Sequence, residues 1–384
     1  MAEVVIDRVP RMTQGPGALA GLGEVATALG GATAPVLLVA DPGLEAAGVI
    51  EQAKHSLRAA RLATILFDQF SSNPSTVEAD RAAALARREG VGVVVALGGG
   101  SAMDIGKTVA AIAPADEPAD AYQLCAIPLP PRPLKKICIP TTSGTGSETT
   151  RTTVLTTPEH IKIWLWGDEM KADHVILDPE VTVGLPAGLT AATGIDVIVH
   201  AIEASTNRNA FPANTMFCHE AIRLAVRHLP RAVERPTDLE ARGGMQLAAA
   251  LAGIAIDNTG TAVAHNIGHA LASLRPVHHG RAVGLGMMAT LAWNVIDDNG
   301  PFARAAAAMG EPADADLLPG SFERLVRRVG LKVSLAGEGY DDITAERLAQ
   351  QMAQPENAPM RKSNRRPIGD DDLLDFAHAV LAQS

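Results

Sequence analysis

The chain is poor in aromatic residues and cysteine. Only 3% of its 384 residues are aromatic, so large rings cannot fill the core. The apolar content instead rests heavily on Ala and Val, which suits many closely packed helices. Cys125, Cys138 and Cys218 show no CxxC spacing, which excludes a disulfide framework and a thiolate metal site. They read as reduced structural residues in a reducing compartment. Basic charge is in deficit, with 33 Lys and Arg against 43 Asp and Glu. The net charge of −10, with no long Lys/Arg cluster, excludes nucleic acid or an anionic membrane as the main partner. No apolar run is expected to span a bilayer, and MAEVVIDRVPRM lacks the pattern of a secretory signal, so a cytoplasmic protein is expected.

What is present suggests two domains, a division the length accommodates. PVLLVA (35–40), LATILFD (62–68), VGVVVAL (91–97) and KKICIP (135–140) are short apolar runs separated by helical stretches. One such stretch, TVEADRAAALARREG, ends at Gly90, a natural helix stop. This alternation predicts a parallel sheet covered on both faces. The Pro-rich tract at 115–133 reads as a surface excursion. From about Leu185 onward the periodicity is helical throughout. The expected division is 1–186 as an α/β domain and 187–384 as an all-α domain.

Two loops in the first half suit a nucleotide. VGVVVAL-GGGSAMDIGK is a strand, a glycine turn and a helix start. Gly98, Gly99 and Gly100 permit close backbone approach, Ser101 is a good N-cap, and Asp104 stands where a capping carboxylate belongs. The helix N-terminus then favours a pyrophosphate. IPTTSGTGSETT (139–150) offers hydroxyls and glycines after the next strand, and ligands of open α/β sheets collect at the carboxyl ends of strands. Asp41, directly after PVLLVA, would accept from an adenosine ribose and repel a 2′-phosphate, which predicts NAD over NADP. The blander reading of Asp41 is an Asp-Pro-Gly turn.

The second half concentrates metal-ligand chemistry. Asp196 and His200 fall at i and i+4, His265 and His269 repeat that spacing, and His278 and His279 precede Gly280. Such groups are expensive to bury unpaired in an apolar helical domain. A carboxylate with several imidazoles and no thiolate suits Fe²⁺ or Zn²⁺. Each histidine alone could be a hydrogen-bonded core residue; three clusters together favour a metal. Spacing does not choose between His265 and His269, or between His278 and His279.

The segments GGGSAMDIGK, PTTSGTGSE, LPAGLTAATGIDVIVHAIEA, HNIGHAL followed by HHG, and NRRPIGDDDLLDFAHAVL stand in one order along nearly the whole chain. With them the sequence resembles the iron-containing (group III) alcohol dehydrogenase family. The resemblance implies a dehydroquinate synthase-like architecture, with a nucleotide-binding α/β domain, a helical metal-binding domain and the active site in the cleft between them. It implies Asp196, His200, His265 and His279 as metal ligands, and His269 as a non-ligand histidine near the nicotinamide, suited to relaying a proton. Asp41, Gly99, Gly100, Ser101, Thr141, Thr142 and Thr145 match the family's cofactor contacts, and Asn73 and Lys162 match further ones. The implied activity is NAD(P)-linked hydride transfer to or from an alcohol or aldehyde held at Fe²⁺ or Zn²⁺, by a homodimer or larger homo-oligomer.

Three features depart from the family. His278-His279-Gly280 replaces Pro-His-Gly, Ile256 stands where some members carry Phe, and Arg151 follows the threonine loop. Arg151 raises the idea of an anionic substrate, against the plainer reading of a surface salt bridge. Rival functions are a maleylacetate-reductase-like keto acid reductase, whose relatives typically lack the full ligand set, a dehydroquinate-synthase-like lyase, and a non-catalytic metal or nucleotide binder.

Overall fold

Each of the four apolar runs becomes a strand in the computed structural model, which describes residues 4–30, 34–159, 161–296 and 298–382. The α/β unit comprises Arg8–Thr142 and Gly146–Leu185. Its sheet contains β1 (Arg11–Gln14), β2 (Val36–Ala40), β3 (Thr64–Phe67), β4 (Val93–Gly98), β5 (Lys135–Pro140) and β8 (His174–Leu177). All pairings are parallel, in the order β1-β8-β5-β4-β2-β3. The strands β2 and β4 are buried along their whole length, as a sheet covered on both faces requires. Leu37, Val39 and Val94 pack on one face with α3 (Thr76–Arg88) and α4 (Gly100–Ile112). Val36, Leu38, Val93 and Val95 pack on the other with α1 (Leu22–Gly30) and α2 (Val49–Ala59).

Local chemistry fixes the helix ends. Ser75 Oγ accepts from Glu78 N at 3.2 Å while Glu78 Oε2 accepts from Ser75 N at 2.6 Å, a capping box that starts α3. Gly90 follows the helix at φ +64°, as its sequence position predicted. The 115–133 tract is largely exposed and is pinned by the buried Ala119 and Tyr122. An antiparallel hairpin of β6 (Thr152–Thr156) and β7 (Lys162–Trp166) completes the unit.

The helical unit comprises Pro186–Ser384 with Met1–Asp7 and Ser143–Thr145. Its centre is α5 (Ala187–Thr206), packed by α6 (Pro212–Glu234), α7 (Leu239–Thr259) and α9 (His279–Asn294). Small residues of α5, α6 and α7, including Ala201, Ala221, Ala225, Ala248 and Ala252, line this core. A second cluster joins α8 (Val263–Leu274) and α9 to the helices Ala345–Met352 and Asp370–Leu381. By length and composition α5 could cross a membrane, which corrects the expectation that no apolar run is long enough. Its apolar window is 83% buried inside the protein, so it serves as the core helix of this unit.

Candidate metal centre and nucleotide cradle

Helical spacing puts Asp196 and His200 on one face of α5, and both are buried. His265 enters from the first turn of α8 and His279 from the first residue of α9. Asp196 Oδ1 lies 3.8 Å from His200 Nε2, 3.6 Å from His265 Nε2 and 3.8 Å from His279 Nε2. Donor atoms of all four residues lie within 4.8 Å of one another. His269 and His278 are outside this group: the His269 ring stands 5.5 Å from that of His279, and His278 is the N-cap residue of α9.

These separations are too long for hydrogen bonds. Asp196 Oδ1 and His265 Nε2 are accordingly buried without a hydrogen-bond partner. Such orphaned polar atoms are costly, and a cation satisfies them together. Donors about 2.0–2.1 Å from a tetrahedral ion stand roughly 3.3 Å apart, close to the spacing found. The donor set therefore fits one divalent cation.

Burial and mutual charge shift three of the four groups, in different directions. Burial alone would raise the Asp196 carboxyl, but His200, His279 and His265 outweigh it and hold the group below the usual carboxylate range. Burial pushes His200 down to about 4, more than Asp196 raises it, so its imidazole is neutral and able to coordinate. Burial also opposes a charge on His265, yet Glu203 and Asp196 raise it to about 9. Sequence reasoning gave Glu203 no role. Its Oε2 lies 2.6 Å from His265 Nδ1 and its Oε1 accepts from Ala264 N at 2.7 Å. Its position, three residues after His200 and seven after Asp196 on α5, was the available signal.

In the α/β unit the nucleotide candidates leave adjacent strand ends. Asp41 follows β2, Gly98–Gly100 closes β4, and Thr141 and Thr142 follow β5. Asn73 lies in the exposed loop after β3. The chain winds one way from β2 to β3 and the other way from β4 to β5, so strand order reverses between β2 and β4, where ligand crevices form. Asp41 N donates to Leu97 O at 3.1 Å, and Thr141 N to Gly98 O at 2.9 Å. Gly98 has φ +152°, and a Cβ there would meet Ala102 Cβ at 2.7 Å and Asp41 Cβ at 3.0 Å. Only glycine fits that turn.

Two details correct the sequence reading. The N-cap of α4 is Gly99, not Ser101, whose hydroxyl instead donates to Ser72 O at 2.7 Å. Asp104 is no cap either: it accepts from Ser147 Oγ at 2.9 Å and from Val154 N at 3.1 Å. Buried beside it, Lys107 Nζ donates to the Ser147 carbonyl at 2.7 Å, Thr150 Oγ1 at 3.2 Å and the Thr152 carbonyl at 2.7 Å. This network ties the 147–154 segment to α4, and Lys162 at the start of β7 faces Asp104. Asp41 Oδ1 accepts from Gly43 N at 2.9 Å, so the Asp-Pro-Gly turn is present. Thr145 falls in the helical unit with Ser143 and Gly144. Arg151 lies 4.4 Å over the Trp166 ring and 3.2 Å from Asp168, in and beside the hairpin.

Comparison with known proteins decides the family. Residues 10–179 match the family described as iron-containing alcohol dehydrogenase, and residues 190–381 match the Fe-containing alcohol dehydrogenase family, C-terminal. The chain belongs to the iron-containing alcohol dehydrogenase family. It is 34% identical over 367 residues to the 1,3-propanediol dehydrogenase of Klebsiella pneumoniae, covering 92% of this chain and 94% of that protein. It is 31% identical over 350 residues to the NAD-dependent methanol dehydrogenase of Bacillus methanolicus, covering 89% and 91%. The crystal structure of sulfoacetaldehyde reductase from Bifidobacterium kashiwanohense in complex with NAD⁺ superposes with a TM-score of 0.91 at 28% identity, over 100% of both chains. As an iron-containing alcohol dehydrogenase, the protein is an oxidoreductase acting on CH–OH, and its parallel-sheet and helical units are those of the family.

Proposed function

We propose that Asp196, His200, His265 and His279 hold one divalent cation, ferrous iron in preference to zinc, in an enzyme that interconverts a small alcohol and its aldehyde with NAD. The observation that carries this reading is the convergence of three imidazole Nε2 atoms within 4 Å of one buried carboxylate oxygen. A cation bound there would supply Lewis acidity to a substrate oxygen, and NAD would supply the hydride chemistry. The preference for iron rests on the family; an Asp/His₃ site also accepts zinc. The complete ligand set favours an alcohol dehydrogenase over a maleylacetate-reductase-like enzyme.

The chain's own residues bind, orient and move the proton. Gly99, Gly100 and Ser101 present the N-terminus of α4 to the pyrophosphate. Asp41 accepts from the adenosine ribose and repels a 2′-phosphate, which selects NAD over NADP. Thr141, Thr142 and Thr145 contact the nicotinamide half, with Asn73 and Lys162 as further contacts. His269, beside His279, carries the alcohol proton to solvent. Arg151 is already engaged by Trp166 and Asp168, which supports its reading as a structural group over one that recognises an anionic substrate. The free cysteines suit a reducing cytoplasm. The edge position of β1 and the exposed Val4, Val5, Ile6 and Val9 support a homo-oligomer.

The test is an alcohol and aldehyde panel with NAD(H) and NADP(H), on protein reconstituted with Fe²⁺ or Zn²⁺. Metal-dependent conversion of NAD to NADH by added alcohol is the expected result. Bound metal and NAD without turnover across the panel would sink the reading in favour of a binder.

A further inference from the structure

His265 is placed by the packing of α8 and also by a carboxylate partner on α5. Glu203 shares the ligand-bearing face of α5 and is buried. Its Oε2 is 2.6 Å from His265 Nδ1, and its Oε1 accepts from Ala264 N at 2.7 Å and from His265 N at 3.4 Å. The N-cap of α8, Ala262, has no side chain able to cap, so Glu203 supplies the missing acceptor from a neighbouring helix. The same carboxylate thus fixes both the start of α8 and the ring it carries.

We infer that Glu203 is a positioning residue that holds His265 in the Nδ1–H tautomer, with the Nε2 lone pair facing the cation site. This rests on the metal reading above and names a determinant of that site's affinity. A carboxylate is acceptor-only, so a bond to Nδ1 requires the ring proton there. A ring that donates from Nδ1 has Nε2 left to offer its lone pair to a cation, and that atom lies 3.6 Å from Asp196 Oδ1. Carboxylate partners of this kind orient metal-binding imidazoles and raise their basicity.

Glu203→Gln separates this role from capping, because the amide matches the carboxylate in size. If its oxygen keeps the Ala264 N–H, its NH₂ faces Nδ1 and drives the ring proton onto Nε2, the coordinating atom. The reverse orientation keeps the tautomer but sets two donors face to face at Ala264. In neither orientation are both contacts retained.

The experiment titrates wild type, Glu203→Gln and Glu203→Ala with Zn²⁺ against a chromophoric chelator. It also records the visible spectrum of each protein loaded with Co²⁺, and its unfolding midpoint. We expect Glu203→Gln to stay folded, to bind Zn²⁺ about 10–100-fold more weakly, and to show an altered Co²⁺ spectrum. Wild-type affinity and spectrum in Glu203→Gln would overturn the assignment, and would do so equally if Glu203→Ala only lowered the unfolding midpoint. Failure of the wild-type chain to bind Zn²⁺ or Co²⁺ would overturn the metal reading and this inference together.

Discussion

Replacing Gly280 by alanine removes none of the proposed ligands, yet it should weaken cation binding at the proposed site. Gly280 follows His279 at the start of α9, where that helix crosses α5. A Cβ at this position would lie 2.1 Å from the Ala192 carbonyl oxygen, 2.7 Å from its carbon and 3.2 Å from Asp196 Cβ. Real Cβ atoms essentially never approach closer than 3.0 Å, so the two backbones must part by about 0.9 Å at the crossing. Metal–donor distances tolerate only about 0.2 Å. The His279 donor is thereby carried out of reach of a cation still held by Asp196 and His200 on α5. Overpacking of this kind costs about 1–3 kcal/mol, which leaves the protein folded. Gly284, one turn further along α9, is the control. Its added methyl would meet only side-chain ends, Ile195 Cγ2 at 3.1 Å and Leu331 Cδ2 at 3.3 Å. Alanine there also gains up to about 1 kcal/mol of helix propensity. Competition with a chelator should show Zn²⁺ binding at least about tenfold weaker in Gly280→Ala and unchanged in Gly284→Ala. Equal binding by Gly280→Ala and wild type would refute the argument that backbone contact sets the ligand geometry.

Lys107→Met deletes the buried cation that holds the 147–154 segment and removes the largest positive influence on the buried Asp104. Urea unfolding should show the protein destabilised by about 3–5 kcal/mol. Burial raises Asp104 to about 6 and Glu148 to about 7, from ordinary values of 3.8 and 4.5. Both therefore keep a proton when folded at pH values where the unfolded chain has lost it, so their contribution to stability is full below about pH 4 and is lost as pH rises to about 7. Thermal midpoints of Asp104→Asn and Glu148→Gln should lack this decline relative to wild type between those limits. Asp41→Asn keeps the acceptor for Gly43 N but removes the charge. The ratio of kcat/KM for NADP to that for NAD should rise about tenfold, equivalent to ~1.4 kcal/mol of relieved repulsion, and an unchanged ratio would remove Asp41 from cofactor selection.

The sequence revealed elements where burial is uniform and missed them where it is not. The strands β2, β4 and β5 are continuous apolar runs, because both faces of the sheet are covered. The edge strand β1 reads RMTQ and is mostly exposed, so it carries no apolar signal. The strand β8 has only four residues, too short to separate from other apolar clusters. The hairpin carries a signal of its own: KIWLW alternates buried and partly exposed positions with the period of a strand. Cap preference is local and points to Ser101, whereas its hydroxyl donates to Ser72 O, 29 residues away.

The sequence by itself determined the helical repeat that aligns Asp196 with His200, the glycine turn after β4, and a chemistry of imidazoles and carboxylate without thiolates. Local periodicity and residue type are enough for these, since each depends on neighbours within one or two turns. Only the tertiary structure placed His265 rather than His269, and His279 rather than His278, beside Asp196 Oδ1, and joined Glu203 to His265 across 62 residues. Residues four apart share a helix face, so spacing cannot say which one reaches a common point. That choice follows from where α8 and α9 cross α5, and the crossing is set by packing such as the close approach of Gly280 to Ala192.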